Sequence, residues 1–493
     1  METLLGIDLG TSATKVGVFN AKGQRVALAS APCAISRPKP GWFEQRPDDW
    51  WDSVISCLRQ IWTSGVAPSE IDAIGLSGHF TTVFLNESGK SARPAITWQD
   101  ARAEDEAAEL ARTVGTGDAQ KLLGIDLPFS PSMPPARVAW VTKNDSNRAG
   151  DIRWVAQAKD YIASRLTGEV MSDRHSMLGL VHTLTGQTDE EYLNRLGITL
   201  QVIPRLAEPD EIVGCVSEAA SRETGLLAGI PVAAGWIDAY CSMVGTGMNL
   251  PQRAFDYAGT SEIVGLLSGE MPTEPRGLLA IPLKPGRVAV YGLTNCGSGS
   301  LAWAVEAIGG GEPMERLLAE AEAAPPGCDG LLFLPYLDGE RSPIWDAAAR
   351  AAFLGINSQH KRPHFLRAVL EGVAFSVNQI IGIARTQTGI EPSALMVSGG
   401  GAKSALWSQI RADVSQLAVN VCTETETGAL GAAILAAVAR GVYGDLAQAA
   451  ANMVSVERTV EPNAGHRTLY AESQARYEAA YPAIREVSRL PTP

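Results

Sequence analysis

Two acids and two copies of one tripeptide carry the chemistry this chain could do. Asp8 closes an apolar run, Leu4–Leu9, and Gly10-Thr11-Ser12 follows it at once. The tripeptide returns as Gly259-Thr260-Ser261 after a second strand-like run, Ala254–Tyr257. A tight turn of this kind offers backbone N–H groups and hydroxyls to an anion, and its glycine keeps no side chain in the way. One copy in each half suggests two domains that hold one polyphosphate from opposite sides. A carboxylate at a buried strand end is costly without a partner, so Asp8 points to a hydrated divalent cation, or else to an aspartate capping its own turn. Asp238, in AAGWIDAYCSMVGTG, leaves an apolar strand beside glycine. That position suits a general base, which must be held yet reachable, and equally an N-cap for the helix that follows.

Three further segments supply binding groups. Ser398–Val414 sets three glycines before a helix, where bare backbone would admit a ribose or flat ring and the helix N-terminus adds partial positive charge. A tight connection rarely needs three glycines in a row, so a nucleotide site is the better reading. His79, Trp98, Gln99, Asp100 and Arg102 cluster after strands of the first half. Hydroxyl-rich polyols need such donors and acceptors and an indole face for their C–H surface. A strand-end histidine bonded to backbone and an N-cap aspartate are equally good readings of His79 and Asp100. Glu340 and Arg341, in a loop rich in proline and glycine, read as a brace without chemistry. Trp50 and Trp51 read as helix core.

The elements that must position these residues follow from pattern. Leu4–Leu9, Lys15–Phe19 and Arg25–Ser30, joined by short turns, predict an antiparallel meander. Pro47–Trp62 carries apolar residues at helical spacing, Ile71–Leu76 predicts a strand and Ala101–Val114 a charged helix. The second half repeats the plan: strands at Ala254–Tyr257, Glu262–Leu267 and Arg287–Gly292, a helix over Phe365–Ala384, a strand at Ala394–Val397, and helices over Ser404–Ser415 and Ala429–Arg440. The chain therefore predicts a duplicated α/β unit, divided as residues 1–245 and 246–493, with the last helices able to pack back on the first domain.

Composition excludes several classes. At 493 residues the chain is too long for one core. Its net charge of −13 provides no basic footprint for nucleic acid or an anionic membrane. Seven scattered cysteines without a Cys-x-x-Cys pair argue against disulfides or zinc. The first residues enter a strand directly, with no signal-peptide pattern, and no uncharged run nears the ~20 residues a spanning helix needs. The expectation is a soluble cytoplasmic protein.

The ordered set GIDLGTSATK, AGWIDAYCSMVG, DYAGTSE, FLPYLDGERSP and SGGGAKSALWSQIRADV leading into TETGALGAAILAA resembles the FGGY family of carbohydrate kinases, in its xylulokinase-like branch. The resemblance spans residues from about 4 to about 437. It implies two ribonuclease H-like (actin-like ATPase) domains with an interdomain cleft, and ATP-dependent phosphorylation of a sugar or polyol hydroxyl with Mg²⁺. By position it makes Asp238 the general base and sets Asp8 near the metal. It assigns phosphates to Thr11, Ser12, Lys15, Gly259 and Thr260, and adenosine to Gly400, Gly401 and Ala402. His79, Trp98 and Asp100 fall where family members contact the sugar, and a homodimer is the family expectation. Ser77-Gly78-His79-Phe80 departs from the Met-His-Gly of xylulokinases, so the resemblance leaves D-xylulose, another ketose, L-xylulose and an erythritol-type alditol open. A non-catalytic ATP-dependent sensor on the same fold is the alternative outside enzymes.

Overall fold

The computed structural model describes residues 2–114, 118–125, 129–145, 150–198, 200–274 and 276–488. Contacts divide the chain into two compact units. The first comprises Met1–Gly245, Pro282–Pro285 and Glu426–Val454, and the second Thr246–Ile281, Gly286–Thr425 and Ser455–Pro493.

Unit 1 is built on the predicted meander. Strands Thr3–Leu9 (β1), Ala13–Asn20 (β2) and Arg25–Pro32 (β3) pair antiparallel in sequence order. Glu44–Gln45 (β4) leads into helix Pro47–Thr63 (α1), which starts on proline and buries Trp50, Trp51, Val54, Cys57, Leu58 and Ile61. Those spacings lay one apolar stripe on the sheet, as the sequence predicts. Strand Ala73–Gly78 (β5) runs parallel to β1. It begins two residues later than the sequence suggests and continues further. The Asp72 carboxylate is spent on the Thr3 N–H at 2.7 Å, whereas Ser77 and Gly78 still find partners in Asp8 and Leu9. Thr81–Leu85 (β6) and Ala95–Thr97 (β7) belong to a small separate sheet with β4. The charged helix is shorter than predicted, Glu104–Val114, because Asp100–Arg102 folds as a side-chain-braced turn.

Helix Thr427–Ala439 belongs to unit 1, although the division by sequence puts it with residues 246–493. Its small residues explain the placement. A Cβ on Gly6 would lie 2.0 Å from the Ala429 carbonyl oxygen, and one on Gly75 1.8 Å from that of Ala432. Bare backbone on β1 and β5 therefore meets a helix of alanine and glycine at a distance that no larger side chain permits.

Unit 2 repeats the local plan. Strand Arg253–Ala258 pairs antiparallel with Glu262–Ser268 and parallel with Ala394–Ser398, as β1 does with β2 and β5. Arg411 is buried beneath this sheet, 3.0 Å from Asp256, in contact with Glu262, and stacked over Trp407. Helix Arg362–Thr388 is long and apolar enough to cross a membrane, but 78% of its apolar window is buried within the protein. Its Arg367 and Glu371 pair at 2.8 Å inside the core. The fold is mixed α/β in both units.

Candidate active site

Asp8, Ser77 and Trp236 stand in one row across three adjacent strands, because β5 pairs with β1 on one side and with strand Trp236–Ile237 on the other. Ser77 donates its hydroxyl to Asp8 Oδ1 at 2.5 Å. Lys15 is the cross-strand partner of Asp8, and its Nζ lies 2.5 Å from Glu426 Oε2. Gly428 crowds the same carboxylate, since a Cβ there would be 2.5 Å from Asp8 Oδ2. Burial raises the Asp8 carboxyl above its ordinary value, the Ser77 hydrogen bond and Lys15 oppose this, and Glu426 adds to it.

Asp238 opens helix Asp238–Thr246, two residues beyond Trp236. Burial, then the charge of Asp8, raise its carboxyl from 3.8 to about 7, against the pull of the Ala239 N–H, which donates to Oδ1 at 2.7 Å. The residue remains half-buried and so accessible. A half-buried carboxyl raised toward neutrality is suited to taking a proton from a hydroxyl. Asp238 is the first helical residue and bonds the next N–H, so it is not an N-cap set before the helix.

Among the described residues no three His, Cys, Asp or Glu side chains converge as metal ligands. Mg²⁺ is commonly held by one or two carboxylates with water and substrate phosphates, so the single carboxylate Asp8 fits that ion and does not make a closed all-protein cage.

The first tripeptide turn is held from two sides. Gln45 Nε2 donates to the Thr11 carbonyl at 2.9 Å, and the Trp98 indole donates to Thr11 Oγ1 at 3.0 Å. Ser12 is exposed, and Trp98 is 44% exposed. Asp100 is closed: it accepts from Arg102 Nε at 2.8 Å, Arg102 Nη2 at 2.7 Å and the Phe43 N–H at 2.6 Å. It braces the loop that presents Trp98. His79 is fully buried against Trp50, with Nδ1 2.9 Å from the Leu9 carbonyl oxygen and, among the described residues, no partner for Nε2. Burial lowers its pKa from 6.5 to about 4, so the imidazole is neutral. Of His79, Trp98, Asp100 and Asp238, which the family resemblance sets at the sugar, only Trp98 and Asp238 reach solvent.

In unit 2 the second turn meets two others. The Gly259 and Thr260 carbonyls accept from the N–H groups of Ser298 and Gly299 at 2.9 and 3.0 Å, at the start of helix Ser298–Ile308. Gly399 adopts φ +87°, and a Cβ there would approach the Ala258 carbonyl oxygen to 2.7 Å. A Cβ on Gly401 would stand 3.1 Å from that of Ala258 and 3.3 Å from Ser298 Oγ. Gly400 and Thr260 are exposed, whereas Ala402 is buried. The result is a side-chain-poor patch of backbone beside the start of an eleven-residue helix whose first N–H groups are taken by the turn, a surface that leaves room for a ribose or a flat ring. Sequence reasoning passed over Gly297–Gly299, although Gly-Ser-Gly-Ser before an apolar helix was legible. It also passed over Ser77, Glu426 and Gly428, whose relation to Asp8 is visible only in three dimensions.

Known proteins resemble this chain along nearly its whole length. Residues 3–245 match the model of the FGGY family of carbohydrate kinases, N-terminal domain, and residues 257–440 that of its C-terminal domain. A xylulose kinase of Bacillus subtilis is 30% identical over 99% of this chain and 98% of its own. A gluconokinase of the same organism is 28% identical over 99% and 96%. The crystal structure of a ligand-bound xylulose kinase from Lactobacillus acidophilus superimposes with a TM-score of 0.89 at 25% identity, covering 98% of this chain and 99% of that one. The chain belongs to the FGGY family of carbohydrate kinases. It is a sugar kinase with the actin-like ATPase fold.

Proposed function

We propose that this chain is a cytoplasmic ATP-dependent kinase that phosphorylates a hydroxyl of a ketopentose, D-xylulose foremost, with Mg²⁺ as companion ion. The observation that carries the reading is the accessible Asp238 carboxyl, raised to about 7 beside Asp8. The xylulose kinases among its relatives favour that sugar.

Asp238 takes the proton of the attacking hydroxyl as its oxygen bonds to the γ-phosphorus of ATP and the bond to the β-phosphate oxygen breaks, with ADP leaving. Phosphoryl transfer demands placement and charge more than covalent help. When bound, Mg²⁺ supplies neutralising charge to the phosphates, and Asp8 is the residue that would hold it through water or directly. Thr11, Ser12 and Lys15 offer phosphate contacts in unit 1. Gly259, Thr260, Gly400, Gly401 and Ala402 offer backbone to phosphate and adenosine in unit 2. Trp98 presents an indole face to the sugar, and His79 and Asp100 shape the wall behind it.

The test is ADP release with Mg-ATP across D-xylulose, other pentuloses, hexuloses, pentitols and gluconate. D-Xylulose preferred by about tenfold or more in kcat/KM supports the assignment. Preference for gluconate, which a gluconokinase relative makes a pointed comparison, would replace the sugar but keep the reaction. A chain that binds ATP yet turns over none of them would be a sensor.

A further inference from the structure

We infer that Lys159, Asp173 and His175 are positioning residues for the base Asp238, acting through Trp236. The inference rests on the kinase reading above, which gives Asp238 its role.

Three contacts pin the segment Ala234–Ile237 that delivers Asp238. Lys159 Nζ donates to the Ala234 carbonyl at 3.3 Å. Gly235, at φ +73°, lies so close to β5 that a Cβ would be 2.1 Å from the Leu76 carbonyl oxygen. The Trp236 indole donates to His175 Nδ1 at 3.1 Å. His175 Nε2 faces the Pro282 carbonyl oxygen at 3.0 Å, so the ring proton belongs on Nε2 and Nδ1 keeps the lone pair that the indole needs. The Trp236 and Tyr240 rings pack 4.9 Å apart, which ties the strand before Asp238 to the helix after it.

Behind this lies a buried ionic cluster. Lys159 Nζ is 2.5 Å from Asp160 Oδ1 and 2.9 Å from Asp173 Oδ2. Asp173 Oδ1 accepts from the N–H groups of His175 at 2.9 Å and Ser176 at 3.1 Å, so the carboxylate that holds Lys159 also sets the backbone of His175. All three members are buried. Burial alone would discharge them. For Lys159 the two carboxylates outweigh it and keep the ammonium charged. For Asp173 the Lys159 charge with the His175 and Ser176 hydrogen bonds outweighs it and keeps the carboxylate ionised. For Asp160 burial prevails over Lys159 and raises the carboxyl.

A buried ion cluster is a poor way to gain stability, since apolar residues of similar volume often do as well. Fully hydrogen-bonded, it fixes geometry that apolar packing leaves loose. Here its two outlets, Ala234 and Trp236, both lie within four residues of Asp238 on the segment that carries it. A base displaced by about 1 Å can lose on the order of a hundredfold in rate, so this is where such rigidity matters.

The test compares Trp236→Phe, His175→Leu and His175→Asn in the full chain. Phenylalanine keeps the ring and loses the indole N–H, and asparagine keeps an acceptor near Nδ1 that leucine lacks. The readouts are kcat and sugar KM, melting temperature, and the position of Asp238 in crystal structures of the variants. We expect Trp236→Phe and His175→Leu to lose about tenfold or more in kcat with sugar KM held within about twofold. Melting should be little changed for Trp236→Phe, the Asp238 carboxylate should shift by about 1 Å, and His175→Asn should recover much of the rate. Wild-type kcat with Asp238 in place in Trp236→Phe overturns the inference. So does a rate loss that follows melting across all three variants with Asp238 unmoved, which is packing alone. A wild-type chain inert on every sugar fails the kinase reading only, because the position of Asp238 in the variants still decides the positioning.

Discussion

Replacing Asp238 with asparagine should destroy activity and at the same time stabilise the protein. The amide side chain would keep an oxygen for the Ala239 N–H and remove only the ability to ionise. The carboxyl titrates at 3.8 in the reference state and at about 7 in the fold. Ionising it in the folded chain at neutral pH therefore costs roughly 4 kcal/mol, less whatever water reaches this half-buried group. The sign follows from linkage. The folded chain binds this proton more tightly than the unfolded one, so the stability associated with it is fully present below about pH 4 and is lost as pH rises through about 7. Activity runs the other way, since the base must be unprotonated and kcat climbs over the same interval. Asp238→Asn should lose on the order of 10²–10⁴ in kcat. It should melt on the order of 5 °C higher than wild type at about pH 8 and no higher at about pH 4. Scanning calorimetry at both pH values, beside ADP-release kinetics and ATP binding, reads every part. Turnover retained in the variant, or a lower melting temperature on the alkaline side, would refute the placement of Asp238 as a desolvated base.

Three other outcomes test neighbouring contacts. Asp8→Asn removes the charge that helps hold Asp238 up, so the acid limb of the kcat–pH profile should move to lower pH while kcat itself falls, and a rise would contradict the pairing. Gly428→Ala would set a methyl 2.5 Å from Asp8 Oδ2, costing roughly 1–3 kcal/mol by denaturant titration and lowering kcat by more than that loss explains. Gly399→Ala forces a side chain into φ +87° and toward the Ala258 carbonyl. It should weaken ATP binding about tenfold by calorimetry and leave the Asp238 titration as it was.

Whatever depends on neighbours along the chain was legible in the sequence. Apolar periodicity marked β1–β3 and α1, because a stripe of side chains must be buried on one face whatever lies opposite. The repeated Gly-Thr-Ser marked the turns and the duplication, because turn geometry is local. Asp238 was visible, for the same reason, as an acid between a strand and a helix. The tertiary structure decided what burial and distant partners control. Asp100 and Gln99 look alike as sugar ligands in sequence, but Arg102 and the Phe43 N–H close Asp100. His79 is sealed beneath the β1 exit rather than offered to solvent. Glu426 reaches Lys15 across 411 positions, and Thr427–Ala439 joins unit 1 because Gly6 and Gly75 leave room for it. A carboxyl near 7 is likewise a sum over everything that excludes water around Asp238, and no local pattern of residues can carry that sum.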